Sequence, residues 1–298
     1  MTASLADNTR GALLMTASMA GFTFNDVFMK AAADEVPLMQ ALFLRGVVTT
    51  LLIMAVAVAL GQLRLGLPRR DWGLIALRTG SEVAAAYFFL TALFNMPIAN
   101  VTAILQALPL TVTLAGAVLL GEAVGWRRMA AIMIGLVGVM LIVRPGPDGF
   151  NIYALYALIA VAAVTLRDIV TRKLTRDVPS LTVALAGAAA IGLFGFIGTL
   201  TQPWAPMSML AYGQLFAAAL CIIVGYLASV MVMRVGEIGF IAPFRYTGLI
   251  WALILGFLVF GEWPDWLTLL GAAIVVATGI FTYWRERQLA LKMRRTSA

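Results

Sequence analysis

Long apolar stretches follow one another along this chain, separated only by short polar connections. A helix that crosses a membrane needs about 20 mostly apolar residues. Ten stretches of suitable length lie near residues 11–30, 37–60, 73–94, 98–120, 127–143, 152–170, 180–201, 208–233, 239–260 and 266–284. Strands of a membrane barrel are shorter and alternate apolar with polar residues. The pattern therefore predicts an all-α integral membrane protein with ten transmembrane helices.

Composition supports this prediction and removes several classes of function. Of the 298 residues, 62% are hydrophobic and 12% are charged, whereas a soluble domain is about 45–50% apolar and about 25% charged. We therefore expect a lipid bilayer around the chain. Histidine is absent and Cys221 is the single cysteine, so we expect no metal, no cofactor and no catalytic thiol. The net charge of +7 comes mainly from short loops, so we expect no nucleic-acid partner.

The loop charges predict the orientation of the spans. Basic residues collect on one side of the predicted membrane, at Arg10, Arg64, Arg69, Arg70, Arg127, Arg128, Arg172, Lys173, Arg176, Arg234 and in the tail after residue 284. The opposite side holds Lys30 and Arg144. Because cytoplasmic loops are rich in Lys and Arg, both termini are predicted to be cytoplasmic.

The two halves of the chain repeat the same pattern. A shift of 140 residues places Gly116 on Gly256, Gly121-Glu122 on Gly261-Glu262, and Trp126 on Trp266. Nearer the start of each half, a shift of 142 places Asp26 on Asp168. We predict a first five-helix repeat at 1–146, a second at 147–284 and a basic cytoplasmic tail at 285–298. Because five is odd, the second repeat crosses the membrane in the opposite sense, as in many secondary transporters.

Several ionisable residues lie inside the predicted spans, where each charge costs at least about 2.5–3.5 kcal/mol. They are Asp26, Arg45, Arg78, Glu82, Arg167, Asp168 and Arg245. Arg78 and Glu82 are four residues apart, so they share one helical face and can pair. Either this pair is structural, or Glu82 lines a polar path and binds a substrate or a proton. We take Glu82 as the first candidate for the second role.

Two further polar pairs occupy equivalent places in the two repeats. Asn25 and Asp26 lie in the outer third of the first span, and Arg167 and Asp168 lie near the inner end of the sixth. Such pairs can act as gates or as interfacial anchors. Arg45, in the second span, has the same two interpretations.

The ninth span has the pattern most typical of a binding site. Its proline cannot donate a backbone hydrogen bond, and Arg245, Tyr246 and Trp251 follow closely. A guanidinium can clamp a carboxylate or stack on a flat ring, and aromatic side chains can sandwich one. Gln106 corresponds to Tyr246 in the repeat alignment. We predict a substrate site formed by these four residues with Glu82; the alternative is that the aromatic residues face lipid or the core.

The five-plus-five spans, the Gly-Glu corners after the fourth and ninth spans and the glycine-rich helices that follow resemble the EamA-type drug/metabolite transporters. The resemblance covers nearly the whole chain. It implies ten helices in the bacterial inner membrane and alternating access around a central cavity without ATP hydrolysis. The run from Ala242 to Tyr246, followed by Trp251-Ala252, is similar to one in bacterial members proposed to carry riboflavin or other aromatic metabolites.

We therefore expect a secondary active or facilitative transporter of a small organic metabolite, with an aromatic-ring solute such as riboflavin as first candidate. Exporters of amino acids or drugs are the alternatives within this class. A membrane-embedded enzyme is the alternative outside it, although the sequence offers no catalytic cluster. Proton coupling through Glu82, uniport and exchange all fit the sequence, and so do a monomer and an oligomer.

Overall fold

Helices make up the regular structure of the described residues. The computed structural model of the chain describes residues 5–64, 66–121, 124–144, 151–175, 177–232 and 241–296. The helices are α1 (Leu5–Ala31), α2 (Leu38–Ala59), α3 (Arg69–Asn95), α4 (Ile98–Leu105), α5 (Leu108–Leu120), α6 (Trp126–Val143), α7 (Ile152–Arg172), α8 (Ser180–Thr199), α9 (Met209–Val232), α10 (Thr247–Phe260) and α11 (Trp266–Thr296), with a 3-10 segment at Ala242–Tyr246 before α10. The predicted all-α membrane fold is confirmed.

Nine stretches of the described residues are long and apolar enough to cross a membrane. The fourth of the ten predicted spans corresponds to α4 with α5, and the ninth to the 3-10 segment with α10. The remaining predicted span is α3, whose mean hydropathy is lowered by Arg69, Arg70, Asp71, Arg78 and Glu82. Beyond the last predicted span, α11 continues to Thr296, so the backbone of most of the predicted basic tail is helical.

Proline and glycine mark many of the helix ends. Helices α2, α3, α4 and α8 each begin directly after a proline, where the missing N–H costs no helical hydrogen bond. Both predicted Gly-Glu corners end a helix: Gly121 and Gly261 adopt a left-handed conformation with φ of 67°, which is cheap only for glycine. Glu262 then accepts a hydrogen bond from the backbone amide of Ile98 at 3.1 Å, which caps α4. Glu122 lies outside the described residues.

The chain forms two compact units, each with helices from both halves of the sequence. The first, which we call the α2/α8 unit, comprises residues 24–96 and 156–223. Within it α2 packs along α8, and α3 also contacts α8. A methyl group on Gly46 would lie 2.5 Å from the Cα atom of Gly192, so the two helix backbones meet directly at this crossing.

The second unit, which we call the α6/α11 unit, comprises residues 1–23, 97–155 and 224–298. Within it α6 packs along α11, and α10 packs against α4. The backbones of α6 and α11 approach closely at Gly138 and Gly271, since a methyl group on Gly138 would lie 2.8 Å from the carbonyl oxygen of Gly271.

The repeat can be followed in the hydrogen bonds of the α2/α8 unit. Gln40 at the start of α2 donates to the Ala205 carbonyl oxygen and accepts from the Ala205 amide, both at 3.0 Å. Thr182, which lies 142 residues after Gln40, donates to the carbonyl oxygen of Gln62 and accepts from the amide of Arg64, both at 3.1 Å. Equivalent helices therefore hold equivalent loops.

Candidate functional site

Four of the charged residues predicted inside spans form one cluster in the α2/α8 unit. The guanidinium of Arg78 donates to Glu82 Oε2 at 2.6 Å, the pairing that their spacing predicts, and its Nε donates to the Thr171 hydroxyl at 3.1 Å. Arg167 Nη1 lies 3.6 Å from Glu82 Oε1, and Arg167 Nη2 donates to Asp168 at 2.8 Å. Two cations and two anions therefore meet in a balanced network.

The Glu82 carboxylate is the centre of this network because its two oxygens serve different arginines, one on α3 and one on α7. The Arg78 side chain is 9% exposed and that of Glu82 is 22% exposed. Partial burial strengthens such charge-assisted hydrogen bonds relative to the same pair in water.

Gly187 of α8 is a residue of this site that the sequence analysis missed. A methyl group at Gly187 would collide with Glu82 Oε2 and would lie 3.0 Å from the Glu82 carboxyl carbon. The carboxylate therefore occupies space that exists because position 187 has no side chain. In the sequence, the one feature that draws attention to Gly187 is its alignment with Arg45 of the first repeat.

The second polar cluster of the α2/α8 unit contains the other three predicted gating residues. Arg45 Nη1 donates to Asn25 Oδ1 at 3.1 Å, and Asn25 Nδ2 donates to Asp26 at 2.9 Å. Asn25 thus joins a cation on α2 to an anion on α1. Arg45 is 6% exposed, and its Nε has no hydrogen-bond partner among the described residues.

The remaining predicted site residues lie in the α6/α11 unit, at two helix interruptions. Only Gln106 and Ala107 separate α4 from α5, and the amide of Gln106 is shared between two carbonyl oxygens at 3.1 and 3.2 Å. In the second repeat the 3-10 segment ends at Tyr246, where α10 follows. Gln106 and Tyr246 are equivalent in the alignment, so both repeats interrupt the helix at the same place. Interrupted helices mark the substrate sites of many transporters.

Two polar side chains at these interruptions have no hydrogen-bond or ion-pair partner within the described ranges. Arg245 is half-buried, and its guanidinium forms no hydrogen bond or ion pair with any described residue. The same is true of the Gln106 side-chain amide, although Gln106 is only 8% exposed. The Gln106 amide lies beside Gly248, where an added methyl group would be 3.7 Å from Nε2. The fold therefore brings Gln106 to the start of α10, within one turn of Arg245.

The two aromatic candidates have different surroundings. Tyr246 is 5% exposed and its ring packs against Gly279 of α11, while its hydroxyl has no hydrogen-bond partner among the described residues. Trp251 is half-buried on α10. Tyr246 therefore contributes to helix packing, whatever its role toward a solute.

An apolar groove of about 570 Å³ also lies in the α6/α11 unit. It runs between α4, α10 and α11 and is lined mainly by Ala, Leu, Ile and Val, and its lining includes Pro243 and Tyr246. Arg245, Gln106 and Trp251 do not line it. Ile250 and Ile280 on its rim are more than 40% exposed, as expected of a surface that contacts lipid.

Comparison with protein families gives a match over almost the whole chain. The model described as "EamA-like transporter family" matches residues 9–144 and again residues 151–284. A solved crystal structure has the same fold, with a TM-score of 0.62 and 20% sequence identity over 90% of this chain and 96% of the other.

Several curated bacterial proteins are similar in sequence, and the relatives described here are named as transporters. The "Riboflavin transporter" of Vibrio cholerae is 28% identical over 94% of this chain and 97% of its own length. The "Pseudopaline exporter CntI" of Pseudomonas aeruginosa is 24% identical over 90% of this chain and 94% of its length. The "S-adenosylmethionine uptake transporter" of Rickettsia conorii is 24% identical over 64% of this chain, and the match spans 65% of that relative, less than two thirds of its length.

Proposed function

Because the chain belongs to the EamA-like transporter family, we propose that it carries a small organic metabolite across the bacterial inner membrane by alternating access. The first candidate solute is an aromatic-ring compound such as riboflavin. In this proposal the transporter, built from two inverted five-helix repeats, alternates between inward-open and outward-open states without hydrolysing ATP.

The observation that carries the proposal is the pair of polar side chains without partners at equivalent helix interruptions. A polar side chain within a membrane span is costly when no protein group binds it, and a charge there is costlier still. Gln106 nevertheless lies at the break between α4 and α5, and Arg245 lies in the 3-10 segment before α10. Neither side chain has a hydrogen-bond or ion-pair partner among the described residues. A solute that supplies acceptors to both groups accounts for their presence.

The chemistry of these groups favours a flat solute with acceptor atoms. A guanidinium stacks on a planar ring and donates to its carbonyl or nitrogen acceptors, an amide both donates and accepts, and the Trp251 indole offers a stacking face. A flavin ring meets these requirements. The relative named as a riboflavin transporter covers almost the full length of the chain, which supports the same choice.

Export of an amino-acid-like solute is the second candidate. The relative named as a pseudopaline exporter also aligns over most of the chain, and a guanidinium binds a carboxylate as readily as a ring. The two candidates differ in whether the solute carries a carboxylate or a flat ring, so one transport assay with both kinds of solute separates them.

The test is counterflow by the purified full-length chain in proteoliposomes. Vesicles loaded with unlabelled riboflavin are expected to accumulate labelled riboflavin transiently and saturably, which a channel does not do. Loss of one hydrogen bond to a charged group costs about 1.5–3 kcal/mol, so Arg245→Ala is expected to raise KM by roughly 10- to 150-fold. Arg127→Ala, which removes an exposed arginine at the start of α6, is the matched control and should leave KM unchanged.

Two results would contradict the proposal. A folded Arg245→Ala protein with the KM of the unmodified chain would remove Arg245 from the site. Counterflow of amino acids without any of riboflavin would select the second candidate. Repeating uptake with and without an imposed pH gradient, in the unmodified chain and in Glu82→Gln, tests whether Glu82 couples transport to protons.

A further inference from the structure

Gly187 lies in the α2/α8 unit, at a position where the two repeats of the chain differ in the placement of a cation. In the first repeat the cation is Arg45 on α2, and it binds Asn25 on α1. A shift of 142 residues converts Asn25 into Arg167 and Arg45 into Gly187. The second repeat therefore moves the cation from its second helix to its first and leaves an empty position on α8.

That empty position is filled by a carboxylate from another helix. Glu82 of α3 lies against Gly187 so closely that a methyl group there would collide with Oε2. From this position Oε2 accepts from Arg78 at 2.6 Å and Oε1 lies 3.6 Å from Arg167. A carboxylate displaced from Gly187 could not keep both contacts, because each of its oxygens serves a different arginine.

Each of the two arginines has a hydrogen-bond partner other than Glu82. Arg78 is held by the Thr171 hydroxyl and Arg167 by Asp168. Displacement of Glu82 would therefore leave both guanidiniums in place with one carboxylate fewer between them. These side chains are not sealed, since those of Arg167 and Asp168 are 26% and 30% exposed.

We propose that Gly187 is a positioning and specificity-determining residue, which seats the Glu82 carboxylate between Arg78 and Arg167 and so keeps the cluster balanced and closed to anionic solutes. The specificity part rests on the proposed transport function. It predicts that the transported solute is neutral or zwitterionic. The seating part concerns the folded chain alone and can be tested without knowing the solute.

Seating is tested by the thermal stability of purified full-length variants. Gly187→Ala is expected to lower Tm. The double variant with Glu82→Asp is expected to recover part of this loss, because the shorter side chain keeps the carboxylate away from the added methyl group. The control is Gly80→Ala, which lies on the same helix as Glu82 but has open space around it. The Tm change that Gly80→Ala causes should be the same with and without Glu82→Asp.

If Gly187→Ala does not fold, Glu82→Ala combined with Gly187→Ala decides the matter. A double variant as stable as Glu82→Ala alone supports the seat, because the collision is then with Glu82. A double variant that still fails to fold shows that Gly187 serves helix packing and overturns the proposal. Equal Tm losses for Gly187→Ala with and without Glu82→Asp overturn it as well.

Closure to anions is tested with inorganic phosphate as the probe. We expect phosphate to raise the Tm of Gly187→Ala at a concentration roughly tenfold lower than the unmodified chain requires, since Arg78 and Arg167 then have one carboxylate fewer between them and can bind the anion. The same phosphate response in both proteins would contradict the specificity part.

Transport gives a separate readout. If the unmodified chain carries riboflavin, riboflavin 5′-phosphate should inhibit counterflow only weakly in that protein and more strongly in Gly187→Ala. Absence of riboflavin counterflow in the unmodified chain would refute the proposed solute while leaving the Tm and phosphate results to decide the seat. Unchanged inhibition in a folded, transporting Gly187→Ala protein would overturn the specificity role.

Discussion

The ion pair between Arg78 and Glu82 provides a sharp test of whether the charged cluster stabilises the fold. The perturbations are Glu82→Gln, Arg78→Gln and the double variant. Glu82→Gln keeps the shape of the side chain, Arg78→Gln shortens it, and each removes one charge. Glu82→Gln removes the anion beside Arg78, whose other hydrogen-bond partner among the described residues is the neutral Thr171 hydroxyl, and adds one net positive charge to the cluster. Arg78→Gln leaves Glu82 with Arg167 still 3.6 Å away. Glu82→Gln is therefore expected to be the more damaging single change.

The geometry sets the size of these effects. A hydrogen bond to a charged group contributes about 1.5–3 kcal/mol when buried. Glu82 is 22% exposed, so screening reduces the expected loss for Glu82→Gln to about 2 kcal/mol. For Arg78→Gln we expect about 1 kcal/mol, because the remaining arginine compensates in part. The coupling free energy between the two positions should be about 1 kcal/mol, within the range for residues in contact.

Equilibrium unfolding in mixed detergent micelles, followed by tryptophan fluorescence, measures these free energies on the seven tryptophans of the chain. Arg70→Gln, which removes an exposed arginine at the start of the same helix, is the control and should change the free energy of unfolding by less than about 0.5 kcal/mol. A coupling free energy indistinguishable from zero would refute the structural reading of the pair. Lost transport in a variant of unchanged stability would assign Glu82 to solute or proton binding instead.

Three other predictions follow from single contacts. Gly46→Ala should destabilise the chain by about 1–3 kcal/mol, because its methyl group meets backbone at 2.5 Å. Gly192→Ala, whose nearest backbone contact is 3.3 Å, should cost less, and equal losses in thermal unfolding would contradict the crossing geometry. Hydrogen bonds from Ser208 lower the pKa of the exposed Glu35 carboxyl. The Tm difference between the chain and Glu35→Gln should therefore be present above the pKa of an unperturbed glutamate and be lost as the pH falls through the lowered pKa; a difference independent of pH would exclude this linkage. Glu262→Ala removes the acceptor for the first amide of α4 and should cost about 1 kcal/mol, and faster amide exchange at the start of α4 would report it.

Much of the fold follows from the sequence because the forces involved are local. Hydrophobic runs of membrane length require helices, since every backbone polar group in lipid must be satisfied within its own segment. Gly121 and Gly261 mark helix ends because a left-handed residue there favours glycine. The four-residue spacing of Arg78 and Glu82 likewise predicts their pairing without knowledge of any other helix.

The site is less predictable because its contacts join distant parts of the chain. Arg245 and Gln106 could be named from their cost in a bilayer, yet only the fold shows that Gln106 lies against the start of α10. Tyr246 remains a predicted solute-binding residue, and only the fold shows that its ring also packs on Gly279. Whether a polar side chain meets protein or open space depends on neighbours that periodicity does not specify.

Sequence alone thus determined the helical membrane architecture, the repeated Gly-Glu corners and the set of charged residues that a bilayer makes expensive. The tertiary structure decided how those charges are balanced. It joined Glu82 to Arg167 across two helices and placed the carboxylate against Gly187, a residue with no chemistry of its own. The physical reason is that burial and periodicity act along one helix, whereas the room for a side chain is set by the helices packed against it.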